Sequence, residues 1–338
     1  GGEIENPLNL RVGGFDVAFV MVFLLPIIVI ALSYDIMSRE KELGVLALIG
    51  AQGVRLSTFI AAKVIARGVT ISLIVLAANA LAISTAVYMG AEWHLGAAAL
   101  WTSIAVLYGL VWFALAVLIN AMGFGSSTNG VVLANVWLVF VIVIPAVVKL
   151  AATTLYPAPS RVALTTELRE AASEADERAA DAREAYMFDH PEMVAGDVDQ
   201  EIFFRQVALS EQDIAASIEP QFEAFEIQAE RQAALMRWLK YSSPALLAND
   251  AFAALAGTDR SYHGAFREAV LNDHARWQAF FVQPLLREEQ LTVESWANLP
   301  SFDYQPDRLY IQNETISLPI VILLLLGFVL VVAGLTKY

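Results

Sequence analysis

An all-α integral membrane protein with one sizeable aqueous domain is the fold class this sequence predicts. Three observations predict it. Hydrophobic residues make up 57% of the chain and its mean hydropathy is +0.57, above the roughly 45–50% apolar content of soluble domains. The excess is gathered into runs long enough to cross a hydrocarbon core of about 30 Å. Charge is segregated as well: residues 151–315 hold 28 Asp and Glu against 13 Lys and Arg, the rest 7 against 8, for a total of −14.

Residues 1–15 form a polar approach containing Gly13-Gly14. The first apolar run is Phe15 to Ser33, and Pro26 should kink it, which bilayer helices tolerate when neighbours re-satisfy the backbone. A polar island follows, Tyr34 to Arg67, carrying five of the chain's 21 Lys and Arg. Within it Ser38, Arg39, Glu40, Lys41 and Glu42 form a charged end. Leu43, Leu46, Leu48 and Ile49 supply an apolar face. Gly50 and Gly53 are expected to break the helix, and Arg55 to open an amphipathic stretch leading to Lys63. The second run is roughly 64–88, and 92–94 a polar turn. The third run is roughly 97–119. Residues 121–129 read as a turn by composition. The fourth run, 131–150, contains Pro145. The last, 316–335, has Pro319 near its start.

Short connections rich in Lys and Arg are retained in the cytoplasm. With 34–67 inside, parity puts 151–315 outside and Lys337 inside. Residue 1 then falls outside, so a further span upstream is expected, making six. The expected division is 1–150 for four spans and the cytoplasmic segment, 151–315 for a helical extracytoplasmic domain, and 316–338 for the final span. Tyr88, Trp93 and Trp101 suit an external aromatic belt.

The external block reads as helical. Leu164, Leu168, Ala171, Ala175, Ala179 and Ala182 fall on one stripe, and Phe222, Phe225, Ala229, Ala233, Met236 and Leu239 on another, a pattern that suits a close helix pair. His190-Pro191, Pro220 and Ser243-Pro244 punctuate it. A further helix runs from Asp259 to about Phe281.

Chemistry-bearing patterns are sparse. Cysteine is absent, which excludes disulfides, thiolate metal sites and thiol catalysis. The four histidines show no zinc-binding spacing, His263 and His274 being about three turns apart on one helix. No glycine-rich phosphate loop of the GxxxxGK[ST] kind occurs. The acidic block argues against nucleic acid as a partner. Catalysis is therefore not expected in this chain. Asn135, inside the fourth run, is costly at membrane depth and is expected to form an interhelical hydrogen bond in preference to touching substrate.

Three stretches carry a family resemblance. The pattern Tyr34-Asp35, Ser38, Glu40, Glu42, Gly44, Leu46, Arg55 and Lys63 resembles the cytoplasmic loop of ABC type-two exporter permeases. Asn120 to Lys149, with Trp137 and Pro145, is similar to a later part of the same family. So is Ser242 to Asp259 (SSPALLANDAFAALAGTD), followed by Tyr262-His263, Phe266 and Trp277. These last two point to a branch with a large helical external domain before the final span.

The resemblance implies a bacterial inner-membrane permease subunit that hydrolyses nothing itself. ATP and Mg would be bound by a separate cytoplasmic ABC ATPase, present in two copies. A second permease copy or a paralogue would complete the channel, and an extracytoplasmic protein could dock outside. Ser38, Arg39, Glu40, Lys41, Glu42, Leu46, Ile49 and Arg55 would form the ATPase-docking element. Glu40 and Glu42 would pair with partner cations, and Leu46 and Ile49 would fill a partner groove. The alternative is a membrane-anchored structural or assembly protein whose external domain binds a partner.

Overall fold

The computed structural model describes residues 17–53, 55–90, 95–157, 161–189, 200–286, 296–302, 304 and 308–336. Regular structure among them is helical throughout, and five helices are long and apolar enough to cross a membrane: Val17–Glu42, Leu56–Tyr88, Leu95–Asn120, Ser126–Leu155 and Ile316–Leu335. The chain is an all-α, multi-pass membrane protein. The expected polar approach at 1–15, the turn at 92–94 with Trp93, His190-Pro191 and Lys337 lie outside the described residues.

The first span, α1, comprises Val17–Phe19, a π-helical turn Val20–Leu24, and Leu25–Ser33. Two short helices follow, α2 (Ser38–Glu42) and α3 (Val45–Ala51). The second span is α4 (Leu56–Tyr88) and the third α5 (Leu95–Asn120). The fourth, α6, comprises Ser126–Trp137, a π-helical turn Leu138–Val143, and Ile144–Leu155. Then come α7 (Arg161–Asp189), α8 (Gln200–Leu239), α9 (Pro244–Ala256), α10 (Arg260–Leu286) and α11 (Arg308–Leu335).

Pro26, expected to kink its span, and Pro145 share one arrangement. Pro26 and Pro145 each follow a π turn, the usual place for an interrupted helical ladder. A proline lacks the N–H that would serve a carbonyl one turn back. The side chains of other helices serve carbonyls at those positions. Tyr108 Oη donates to Val22 O (2.9 Å) and Trp137 Nε1 to Phe23 O (3.3 Å), four and three residues before Pro26. Ser243 Oγ donates to Phe140 O (2.5 Å), five residues before Pro145. Hydrocarbon offers no such donors, so these three contacts are what makes the two prolines tolerable at depth.

Packing fixes the relative direction of the spans. Tyr108 meets Val22 and Asn120 meets Ser33, so α1 and α5 run parallel. Gly327 faces Val111 and Gly334 faces Val117, so α11 runs the same way. Gly68 faces Phe113 while Val75 faces Gly109, which makes α4 antiparallel to α5. Trp137 reaches Phe23 and Gly130 reaches Tyr34, so α6 is antiparallel to α1. This alternation is what threading five spans in order requires. The middle helix, α5, packs against the other four spans and holds the fully buried Tyr108, Val111 and Trp112.

Two compact units emerge. One draws on Gly1–Lys149, Trp238–His263 and Asp307–Tyr338, the other on Leu150–Arg237 and Gly264–Pro306. Residues 151–315 are therefore not one continuous domain. The reason is α9. Its Ala245, Leu247, Ala248, Ala251 and Phe252 are all buried, with Phe252 at 4.6 Å between ring centroids from Trp101. It packs against α1, α5, the π turn of α6, and α11. Trp101 packs against this helix, and Tyr88 is exposed.

In the second unit Arg267 pairs with Glu226, and Gln232 Nε2 donates to Tyr156 O. Phe266 meets Phe302 and Tyr304 edge-on. Helices α7 and α8 exist where the stripes predict them, with Pro220 inside α8. The side chains of Leu164, Leu168, Ala175, Ala179 and Ala182 lie outside the described ones.

Candidate functional site

The corner built from α2, α3, the start of α4 and the α5–α6 turn gathers Asp35, Arg39, Glu40, Lys41, Glu42, Arg55, Lys63 and Arg67. Local geometry comes first. Gly44 (φ 70°) and Gly53 (φ 74°) adopt the left-handed conformation and make the two chain reversals, a region a side chain resists. Gly50 lies inside α3 and breaks nothing, because no positive φ is demanded there. Residues 126–129, expected as a turn, are instead the first turn of α6. Leu56 already begins α4, whose 33 residues reach about 50 Å at 1.5 Å each. That exceeds the hydrocarbon core, so the turns bearing Lys63 and Arg67 can stand in the interface.

The charged side chains of this corner other than Arg55 each have an identifiable contact. Arg67 donates to the Leu32 carbonyl, near the C-terminus of α1, and lies 3.8 Å from Asp35. A cation at a helix C-terminus is favoured by the backbone dipole. Asp35 is also 3.7 Å from Arg39. Glu40 pairs with Lys63 of α4. Lys41 Nζ donates to Gly123 O (3.1 Å), just past the end of α5. Glu42 accepts the Ser126 N–H at Oε1 (2.6 Å) and the Ser126 hydroxyl at Oε2 (2.9 Å). Gly125 at the N-cap position has no side chain to offer, so Glu42 supplies the cap of α6 from another segment. An anion there satisfies an orphan N–H and complements the positive helix end. The Ser38 hydroxyl lies 2.8 Å from that of Ser126.

Beneath the ions sits a buried amide pair. Asn120 Nδ2 donates to Ala116 O (2.8 Å) and Ser33 O (3.2 Å). Its Oδ1 accepts the Met37 N–H (3.4 Å) and Asn129 Nδ2 (3.1 Å). Two donors and two lone pairs are the full capacity of a carboxamide. Asn120 therefore joins α1, the approach to α2, α5 and α6 at one point.

The eight residues singled out by sequence divide three ways. Ser38, Glu40, Lys41 and Glu42 each make a contact inside the chain. Leu46 leans on the core and Ile49 is half-buried. The side chain of Arg39 is 68% exposed, and Arg55 is exposed. The outward apolar residues are instead Leu43 (69%) and Leu48 (66%), beside Val45. A seven-residue helix turns Leu46 and Ile49 toward the bundle and Leu48 away, a phase that spacing alone leaves open. Asn135 is exposed and donates only to Val131 O of its own helix (2.8 Å). The expected interhelical bond is not made within the chain.

Sequence reading gave Asp35, Arg67, Asn120, Ser126 and Asn129 no part in the docking element. The available signal was positional: Asn120 ends one apolar run and Asn129 opens the next, at interface depth, nine residues apart. Among the described residues no group of three His, Cys, Asp or Glu could hold a metal ion.

Residues 161–305 match the family described as Domain of unknown function (DUF3526). No curated protein and no solved structure matches the chain. The matched stretch includes α9, which in this chain packs among the spans.

Proposed function

We propose that the chain is the permease subunit of an ATP-driven ABC exporter of the type-two kind, in a bacterial cytoplasmic membrane with 34–67 on the cytoplasmic side. Two copies of a separate ATPase would bind ATP and Mg. A second permease copy or paralogue would share the channel. The observation that carries this reading is the α2–α3 pair. It turns Leu43 and Leu48 outward and is tied inward to α4 by Glu40–Lys63 and to α6 by Glu42–Ser126.

Such an element works as a lever. A partner gripping Leu43 and Leu48 moves α2 and α3 together. The ion pairs and the Asn120 junction pass that displacement to α1, α4, α5 and α6 as one body, since packed helices transmit movement along their length. At the far end the same spans meet α9, which bridges α1, α5, α6 and α11. Their displacement would loosen or tighten that closure, and so admit or retain a substrate.

Isolation from native membranes in mild detergent tests the reading. An ATP-hydrolysing chain should accompany the protein in equal amount. Single cysteines at Ala51 and Ser173, in a chain that has none of its own, should react with an impermeant reagent from opposite sides. Absence of any ATP-hydrolysing companion, with the sidedness confirmed, would favour the anchoring protein instead.

A further inference from the structure

Asn135 is a polar group without a sufficient partner in a place that tolerates none. It lies four residues inside the apolar run that begins at 131, roughly 6 Å along the helix at 1.5 Å per residue, within a core about 30 Å thick. The inward side of α6 carries the buried Leu133 and Val141; Asn135 is on the other side, exposed. Exposed hydroxyls of the spans behave differently. Thr70, Ser84, Thr85 and Ser103 each donate their one proton to the carbonyl four residues back, which satisfies the donor within its own helix. A carboxamide cannot be satisfied this way. It has two N–H donors and an acceptor oxygen, and its own helix takes one donor, at Val131 O. Lipid offers nothing for the remainder. Asn79, Asn120 and Asn129, the other asparagines of the described spans, are buried.

We infer that Asn135 is the centre of a pairing surface for a second copy of this chain, with α6 packed against its symmetry mate. A carboxamide is self-complementary: the free N–H of each copy donates to the Oδ1 of the other, and both bonds form at once on a two-fold axis through Asn135. The surroundings fit. Val131, Leu138 and Ile142 are exposed at 62%, 43% and 43%, and with Asn135 they repeat at spacings of four and three, the seam of two packed helices. Ala134 beside the amide lets the backbones approach closely. One polar residue in an apolar seam also sets register, because any shift leaves both amides unpaired in hydrocarbon. The inference names the face that the permease pairing proposed above would use, yet needs only that α6 spans a membrane.

Cross-linking in native membranes tests it. In the cysteine-free chain, Leu138→Cys and Ile142→Cys should form disulfide-linked dimers of this chain on mild oxidation. Leu81→Cys, on an exposed face of α4, and Leu133→Cys, facing inward, should not. Adding Asn135→Leu to Leu138→Cys should weaken pairing about tenfold, the order expected for losing membrane hydrogen bonds, while Asn135→Gln should largely preserve it. Each variant's thermal midpoint as a solubilised protomer should match the parent, which separates lost pairing from lost folding. Cross-linking no better than at Leu81→Cys, a product containing a different chain, or indifference to Asn135→Leu would overturn the inference. Because the readout involves no ATPase, any of these results leaves the exporter reading to its own test.

Discussion

The two ends of the membrane unit are tied together by opposite means. At one end Arg39, Arg67, Lys63, Lys41, Asp35, Glu40 and Glu42 surround a buried amide pair, and nearly every tie is directional. At the other, thirteen residues of α9 wedge alanines and Phe252 between four spans, and the chief directional tie is Ser243 to Phe140 O. Ion pairs and carboxamide bonds hold a fixed geometry and fail abruptly when one member goes. Small apolar contacts slide at modest cost. The lever proposed above needs this contrast, with one end stiff and the other able to slide.

Substitutions can break this comparison, and the largest effect belongs at the amide junction. Asn120→Leu leaves the Met37 N–H, the Ser33 carbonyl and Asn129 Nδ2 without their partner. At about 1–3 kcal/mol for each buried group left unsatisfied, the loss should exceed about 2 kcal/mol and lower the thermal midpoint of the solubilised protein clearly. A change indistinguishable from that of an exposed site would mean the ions alone hold the corner.

Next comes the Glu40–Lys63 pair, whose side chains are only 21% and 18% exposed. Glu40→Lys should cost about 1–2 kcal/mol, less than the 3–5 kcal/mol of a fully buried pair. Adding Lys63→Glu should restore most of it, since a double-mutant cycle isolates the pairwise energy. Failure of the rescue would show that Glu40 acts through something other than Lys63.

At the far end, Ser243→Ala removes the donor to Phe140 O and the acceptor for the Ala245 N–H (3.1 Å). A lost helix cap costs about 1 kcal/mol. The diagnostic effect is local: cleavage by protease or hydrogen exchange within α9 should rise while the α2–α3 corner stays protected. Equal loosening at both ends would argue that they are one cooperative element.

Hydropathy made the spans legible, because twenty apolar residues in a row have few other uses. A break in the helical ladder at Pro26 was legible too. The π turns before Pro26 and Pro145 were not, nor the choice of Tyr108, Trp137 and Ser243 as the rescuing donors, because a proline says only that a carbonyl is freed. Helix α9 was misplaced for a physical reason: thirteen residues are too few to span, and an apolar helix of that length looks like the core of an aqueous domain. Its alanines at 245, 248, 251 and 254, three apart, were the sign of close packing against other helices. In the 34–67 segment the expected outward charges and inward leucines are partly exchanged. Charge on a short loop read as surface, whereas here most of the charges face one another and leucines face out.

The smallest effect on the fold should come from the residues that matter most to the proposal. Leu43→Asp with Leu48→Asp changes two exposed side chains, for which stability shifts stay within about 0.5 kcal/mol. The measurement is the amount of ATP-hydrolysing chain retained when this double variant is isolated from membranes beside the parent and beside Leu46→Asp. The account predicts an unchanged thermal midpoint and a loss of the companion of tenfold or more for the double variant. For Leu46→Asp it predicts a lowered midpoint, since that leucine packs inward. A double variant that keeps its full complement of companion at normal stability would contradict the account and reduce α2 and α3 to a connector.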